Sequence, residues 1–186
     1  MRTVASILWR RLDAEGHDAC RLEQGDAAWQ LDGAAVFRHE DGRVAQLHYR
    51  VRCDAQWRTR WATVRGWLGP EEVDLRIAHD PGSGWTLGDR PMPGVAHCVD
   101  LDLGFTPATN LIVLRRRVFD PGVQVDAPAA WLDLDLDALD LLVQRYERRA
   151  DDRLWYEAPR FAYAQMLSVT ADGFVSDYPG LWQAAG

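Results

Sequence analysis

The sequence predicts a mainly β, antiparallel protein with one short helix, and three observations carry that reading. Apolar and polar residues alternate strictly, most cleanly where Ala45, Leu47, Tyr49, Val51 and Cys53 oppose Gln46, His48, Arg50 and Arg52. Turn signals such as Asp41-Gly42, Gly69-Pro70, Asp120-Pro-Gly122 and Asp172-Gly173 punctuate the runs. One stretch alone, Val99 to Arg117, passes from alternation through a glycine into a helix start.

Taken in order, Val4 to Leu12 reads as a first strand. Trp29, Leu31, Gly33, Ala35 and Phe37 share one parity of the next, before the Asp41-Gly42 hairpin. Trp57 to Leu68 reads as a strand apolar on both sides. Trp57, Trp61 and Trp67 lie on one face and Ala62, Val64 and Leu68 on the other, as for a sheet covered twice over. Val73, Leu75 and Ile77 alternate again, and Trp85 to Leu87 is a minor strand between turns. In the central stretch, Val99, Leu101 and Leu103 face away from Cys98, Asp100 and Asp102; Gly104 turns the chain, and Thr106-Pro107 reads as an N-cap with proline at the first helical position. Trp131 to Asp137 alternates strictly and predicts a strand with a solvated acidic face. Leu139 to Arg149 fits either period; a strand is favoured because Ala150-Asp151-Asp152 reads as a hairpin tip returning through Trp155 and Tyr156. Phe161 to Val169 and Phe174-Val175 form a last hairpin, and Tyr178 to Trp182 closes the chain with aromatic rings.

No linker or low-complexity segment divides the 186 residues, so one domain spanning 1–186 is expected, able to bury roughly 70% of its unfolded surface. All 21 basic residues are arginine, and the net charge of −7 argues against a nucleic-acid partner. Met1 to Arg11 carries too short an apolar run for a signal peptide, and nothing approaches a membrane span. Cys20, Cys53 and Cys98 lack metal or disulfide spacing and predict buried thiols in a reducing cytoplasm. The nine tryptophans suit sheet cores and apolar cavities.

Candidate chemistry concentrates in the central stretch. Asp100 and Asp102 on one strand face would lie roughly 6.5–7 Å apart, close to the carboxylate separation of some glycosidases. Three arginines follow within the same segment, so an Asp–Arg network at the junction of strand and helix is the favoured alternative. Asn110, the one asparagine, suggests a specific hydrogen bond. Arg115 and Arg116, read as extended, would point opposite ways, one to a carboxylate and one to solvent or a ligand headgroup. His97, Cys98, Asp100 and Asp102 do not make a metal site, because neighbours on a strand face opposite sides. Asp133, Asp135 and Asp137 open like a calcium loop, but Ala138 and Gln144 stand where glycine and glutamate are required. No metal or cofactor is therefore expected. No serine has a nucleophile-elbow context, and no glycine-rich phosphate loop is present.

The run Cys98-Val-Asp-Leu-Asp-Leu-Gly-Phe-Thr-Pro-Ala-Thr-Asn-Leu-Ile-Val-Leu-Arg-Arg116 resembles the signature of the bacterial Putative glycolipid-binding family, formerly a domain of unknown function. Leu8 to Arg11, Tyr49 to Trp57, Gln144 to Tyr146 and Gly173 to Trp182 agree with it, so the likeness spans nearly the whole chain. One departure is Val113, where the family often has proline before its arginine pair. The resemblance implies a spiral β-roll of many antiparallel strands around a single central helix, placed at Thr106 to about Leu114, similar to bacterial lipoprotein carriers. It implies a lipid or glycolipid ligand and brings no catalytic residues.

Together these readings give a non-enzymatic binder of an amphipathic small molecule between curved sheet and helix. Trp57, Trp61, Tyr49, Tyr146 and Tyr178 are the expected aromatic contacts, beside Asp100, Asp102, Thr106, Asn110, Arg115 and Arg116. The alternative is a hydrolase or isomerase acting on a sugar-containing metabolite through Asp100 and Asp102. A partner-binding protein would instead show a large exposed aromatic patch. A homodimer is left open.

Overall fold

A computed structural model describes residues 1–135 and 138–185. Six long antiparallel strands come first: β1 (Arg2–Arg11), β2 (Gly16–Gly25), β3 (Ala28–Arg38), β4 (Val44–Asp54), β5 (Thr59–Leu68) and β6 (Glu71–Asp80). Short β7 (Gly84–Leu87), β8 (Arg90–Pro91) and β9 (Asp100–Leu103) follow, then a 3-10 turn at Pro107–Thr109 and the helix α1 (Asn110–Arg116). The rest comprises β10 (Gln124–Asp126), β11 (Ala129–Leu132), β12 (Leu139–Leu142), β13 (Arg145–Ala150), β14 (Arg153–Ala158), β15 (Tyr163–Val169), β16 (Val175–Tyr178) and β17 (Trp182–Ala184).

Fourteen of these strands form one open antiparallel sheet, with β10 at one edge and β8 at the other. It has two arms, β1 to β8 and β13 to β17, in which consecutive strands pair as hairpins. The arms meet where β17 pairs with β1, with Arg11 opposite Trp182. Trp9 reinforces this seam: its indole donates to the Val175 carbonyl at 2.6 Å and its ring meets Phe174 edge-on. A second sheet has the order β12-β11-β9, and within it β11 runs parallel to β9. Only antiparallel pairing was expected. Parallel neighbours need a crossover connection, and here the chain supplies one containing α1 between Leu103 and Ala129.

The alternation of β3 and β4 predicts their buried faces correctly, from Leu31 to Phe37 and from Ala45 to Cys53. Gly33 is required by what crosses it. The Tyr49 ring lies over its Cα, and a Cβ there would come within 2.2 Å of Tyr49 Cζ. β2 escapes the sequence reading because its inward parity carries Asp18 beside Cys20 and Leu22, so a fully buried carboxyl interrupts the apolar pattern. The doubly covered strand expected at Trp57 to Leu68 is not found. A register shift between Arg52 and Cys53 sets Trp57 apart, β5 starts at Thr59, and Trp61 and Trp67 are 37% and 41% exposed on the outer face.

Two further expectations need correction. The strand expected from Trp131 to Asp137 stops early: β11 ends at Leu132, level with Leu103 of β9, and Asp133 then accepts the Asp135 amide at 3.1 Å in a turn. Leu136 and Asp137 lie outside the described residues. Arg115 and Arg116 are not extended but form the last turn of α1, where their charge suits the helix C-terminus. The ambiguous Leu139 to Arg149 segment is strand, divided at Val143-Gln144 into β12 and β13 of different sheets.

The helix is short, and its packing matters more than its length. Leu111 and Ile112 sit in the large core with β2 to β7, while Val113 packs in a second cluster with Tyr146, Tyr156, Leu167 and Val175. Beyond them, the Arg115 guanidinium lies 5.8 Å from the centre of the Trp57 ring. Gly33→Ala is expected to push Tyr49 off the sheet and lower stability by about 1–3 kcal/mol, measurable as a reduced urea midpoint. An unchanged midpoint contradicts the close approach.

Candidate ligand cavity at the strand–helix junction

Three carboxyls converge where β9 turns into α1, each with a different partner. Asp100 is fully buried and takes a two-pronged ion pair from Arg116, with Nε donating to Oδ1 at 2.7 Å and Nη2 to Oδ2. Asp18 of β2 is equally buried but faces hydroxyls. Tyr49 donates to it at 2.9 Å and Thr106 donates to the same oxygen, while the two hydroxyl oxygens stand 3.2 Å apart. Burial pushes the Asp18 carboxyl up to about 7, against the opposing effect of the Thr106 and Tyr49 hydrogen bonds. Thr106 also caps the turn ahead of α1, its hydroxyl accepting the Ala108 amide at 3.0 Å.

Asp102 is the third. It shares Asp100's strand parity, yet no cation meets it among the described residues. Its one side-chain partner is Gln144, whose Nε2 lies 3.3 Å from Oδ2. Behind Gln144 the chain of hydrogen bonds continues: Tyr146 donates to Gln144 Oε1 at 3.0 Å, and Asn110 Nδ2 donates to the Tyr146 hydroxyl at 2.8 Å. Burial without a counter-charge raises Asp102 to about 7, the Gln144 bond opposing the shift. Asp102 nevertheless keeps some exposed surface, and it is a wall residue of a cavity.

That cavity, about 380 Å³, lies between the start of α1, β3, β11 and the β14 to β17 region. Its size falls in the range of small-molecule sites, roughly 300–1,000 Å³. Phe37 and Phe105 stack on one side; on another, Tyr178 meets Tyr156 and Tyr163 edge-on at 5.6 and 5.3 Å; Trp131 and Phe161 meet at 5.4 Å. The Tyr163 hydroxyl is occupied by the Pro179 carbonyl at 2.7 Å. Arg11 lies 5.3 Å from the Phe37 centroid and 5.7 Å from that of Trp182, with its guanidinium held by Asp13. Gly104 is part of the wall because the Trp131 indole closes over it: a Cβ would meet Nε1 at 2.6 Å. A second depression of about 580 Å³ lies beside β1 and β2, but its charged groups, Arg21 and Asp32, are already paired.

Of the residues singled out in the sequence, Asp102, Thr106, Asn110 and Tyr178 reach the cavity wall, and Tyr146 stands behind it, bonded to Asn110. Asp100 and Arg116 are consumed by each other. Tyr49 serves Asp18, and Trp57, Trp61 and Arg115 lie elsewhere. The two-carboxylate arrangement is therefore not assembled, since only Asp102 of that pair faces open space. Sequence reasoning missed Phe37, Trp131, Tyr156, Phe161 and Tyr163, which come from distant strands and carry no mutual spacing. It also missed the gathering of His39, Asp41 and Asp135, whose ligand atoms lie within 4.8 Å of one another. Arg43 donates to Asp41 at 2.5 Å and to Asp135 at 3.2 Å, so this cluster already holds a cation of the protein's own. The three cysteines are buried and free. Among the described residues, no helix is long and apolar enough to cross a membrane.

An open antiparallel sheet, a buried short helix and a cavity whose wall carries Asp102 without a counter-charge among the described residues define a mainly β protein whose chemistry is concentrated at one junction. The family profile described as Putative glycolipid-binding matches residues 6–184, and the chain belongs to that family. A crystal structure of a DUF1089 family protein from Pseudomonas aeruginosa is similar, with 27% identity, a TM-score of 0.78, and coverage of 89% of this chain and 91% of that one. No curated protein matches the chain.

Removing either partner of the Asp100–Arg116 pair leaves a buried charge alone. Asp100→Ala and Arg116→Ala should each lower stability by about 3–5 kcal/mol in thermal or urea denaturation. A loss below ~1 kcal/mol for both would show the pair to be solvent-relaxed. Asp102 has the opposite signature. Its folded form binds a proton more tightly than the unfolded chain, so the stability it contributes is present below about pH 4 and lost as the pH rises to about 7. Asp102→Asn keeps the neutral form throughout; its urea midpoint should gain on the wild type from about pH 4 to about pH 7 and keep that gain above it. Parallel curves would refute the burial argument.

Proposed function

We propose that residues 1–186 form one binding domain that holds an amphipathic small molecule, a glycolipid or fatty-acyl compound, without chemical turnover. The observation carrying this reading is the cavity itself: eight aromatic rings stand in its wall, with Asp102, Asn110 and Thr106 grouped near the start of α1. Such a wall offers apolar area for a chain and a few fixed polar groups for a head. We further propose that the large sheet rolls as a spiral about α1. The division of the helix's apolar residues between the two core clusters supports this. Family membership supports a glycolipid as ligand, through its description. A cytoplasmic location completes the proposal, supported by three free thiols.

The hydrolase or isomerase reading asks for Asp100 and Asp102 together at one cleft. With Asp100 held by Arg116, binding is the better account.

Native mass spectrometry after gentle purification is expected to show one bound amphiphile per chain, or uptake of one dodecyl maltoside. Ala158→Phe, which places a ring at the cavity wall, should abolish that uptake while the protein stays folded. A wild-type chain that stays empty with both natural and added amphiphiles refutes the reading.

A further inference from the structure

The charge of the cavity wall is one-sided. Arg11 is its one guanidinium among the described residues, and Asp13 takes it with bonds of 2.8 and 3.0 Å. Asp102, Glu40 and Asp133 remain on the same wall with no ion pair to any described cation. Nearby guanidiniums are engaged elsewhere: Arg116 by Asp100, Arg43 by Asp41 and Asp135, and Arg160 by Asp140 at 2.7 Å. Of the three, Asp102 accepts a side-chain hydrogen bond from Gln144 at Oδ2, and among the described residues no side chain donates to its other oxygen. The rings of Tyr156 and Tyr178 share the cavity with it.

An anionic head placed here would face these carboxyls, while the guanidiniums beside the wall, Arg11 and Arg160 (the latter 4.6 Å from the centre of the Trp131 ring), are already held by Asp13 and Asp140. A carboxylate with a free oxygen beside several aromatic rings instead has the two elements that stabilise an organic cation: direct charge pairing and attraction to ring faces, worth more in a desolvated setting. Resting on the binding reading above, we propose that the cavity selects amphiphiles whose head carries a protonated amine, seated on Asp102 between Tyr156, Tyr178 and Trp131, and rejects those with an anionic head.

The test is calorimetric titration with three dodecyl probes below their micelle concentrations: dodecylammonium, dodecyl maltoside and dodecanoate. Burial holds the Asp102 carboxyl near 7, so the titration is run at about pH 8, where the group carries its charge. The wild type should bind one dodecylammonium about tenfold more tightly than dodecyl maltoside, and dodecanoate weakest of all. Asp102→Asn should erase the amine preference, so that dodecylammonium and dodecyl maltoside bind that variant within about threefold of each other. Should that variant fold poorly, Glu40→Gln with Asp133→Asn is expected to weaken amine binding a few-fold without moving maltoside. Maltoside binding as tight as the amine overturns the charge proposal while sparing the binding function. Amine binding that survives Ala158→Phe is adsorption to the acidic surface and also overturns it. Absence of binding by all three probes defeats both.

Discussion

The hydroxyl of Thr106 holds the molecule's junction together. It donates to the buried carboxyl of Asp18 from β2, lies 3.2 Å from the Tyr49 hydroxyl of β4, and accepts the Ala108 amide at the turn leading into α1. Three elements far apart in sequence thus share one oxygen, and the cavity wall includes that same residue. Asp18 has no guanidinium to neutralise it, so its burial is tolerable only while both hydroxyls stay in place. The requirement extends to Gly33, whose missing Cβ is what lets the Tyr49 ring lie low enough to reach.

Asp100 and Asp102 show how two identical residues on one strand face acquire different chemistry. Two residues apart, they meet opposite sides of the helix junction. The C-terminal turn of α1 brings Arg116 to Asp100, whereas Asp102 meets the amide of Gln144 at the start of β13. The first is an ionised structural clamp. The second is a carboxyl kept close to its protonation midpoint by burial, with space in front of it.

Much of this architecture was legible in the residues. Parity placed Tyr49 inward and Trp85 in its short strand, and the Thr106-Pro107 pair located the 3-10 turn that leads into α1, although α1 itself begins only at Asn110 and runs to Arg116. What escaped did so for physical reasons. Asp18 on an inward position disguised β2 as a polar segment. The acidic alternation after Trp131 mimics a strand, but a strand needs a partner, and β9 has none to offer beyond Leu103. The arginines after Leu114 looked extended because helix propensity in so short a segment is weak; buried Leu111, Ile112 and Val113 decide it. Of the cavity, sequence gave the polar corner at Asp102, Thr106 and Asn110 and one aromatic contact, Tyr178. The remaining rings are brought together only by the register of the sheet, which no local pattern records.

The seam between β1 and β17 also bears on the order of events during folding. Each arm of the large sheet is a run of local hairpins, yet the bond from Trp9 to Val175 spans 166 residues of chain. Loop closure of that length is expected to follow hairpin formation, so the two arms should take shape before they join. Tyr178 and Trp182 stand on one side of the seam and Phe37 on the other. A nascent chain therefore cannot close the cavity while its last strands are still unmade, and that enclosed space belongs to the finished molecule.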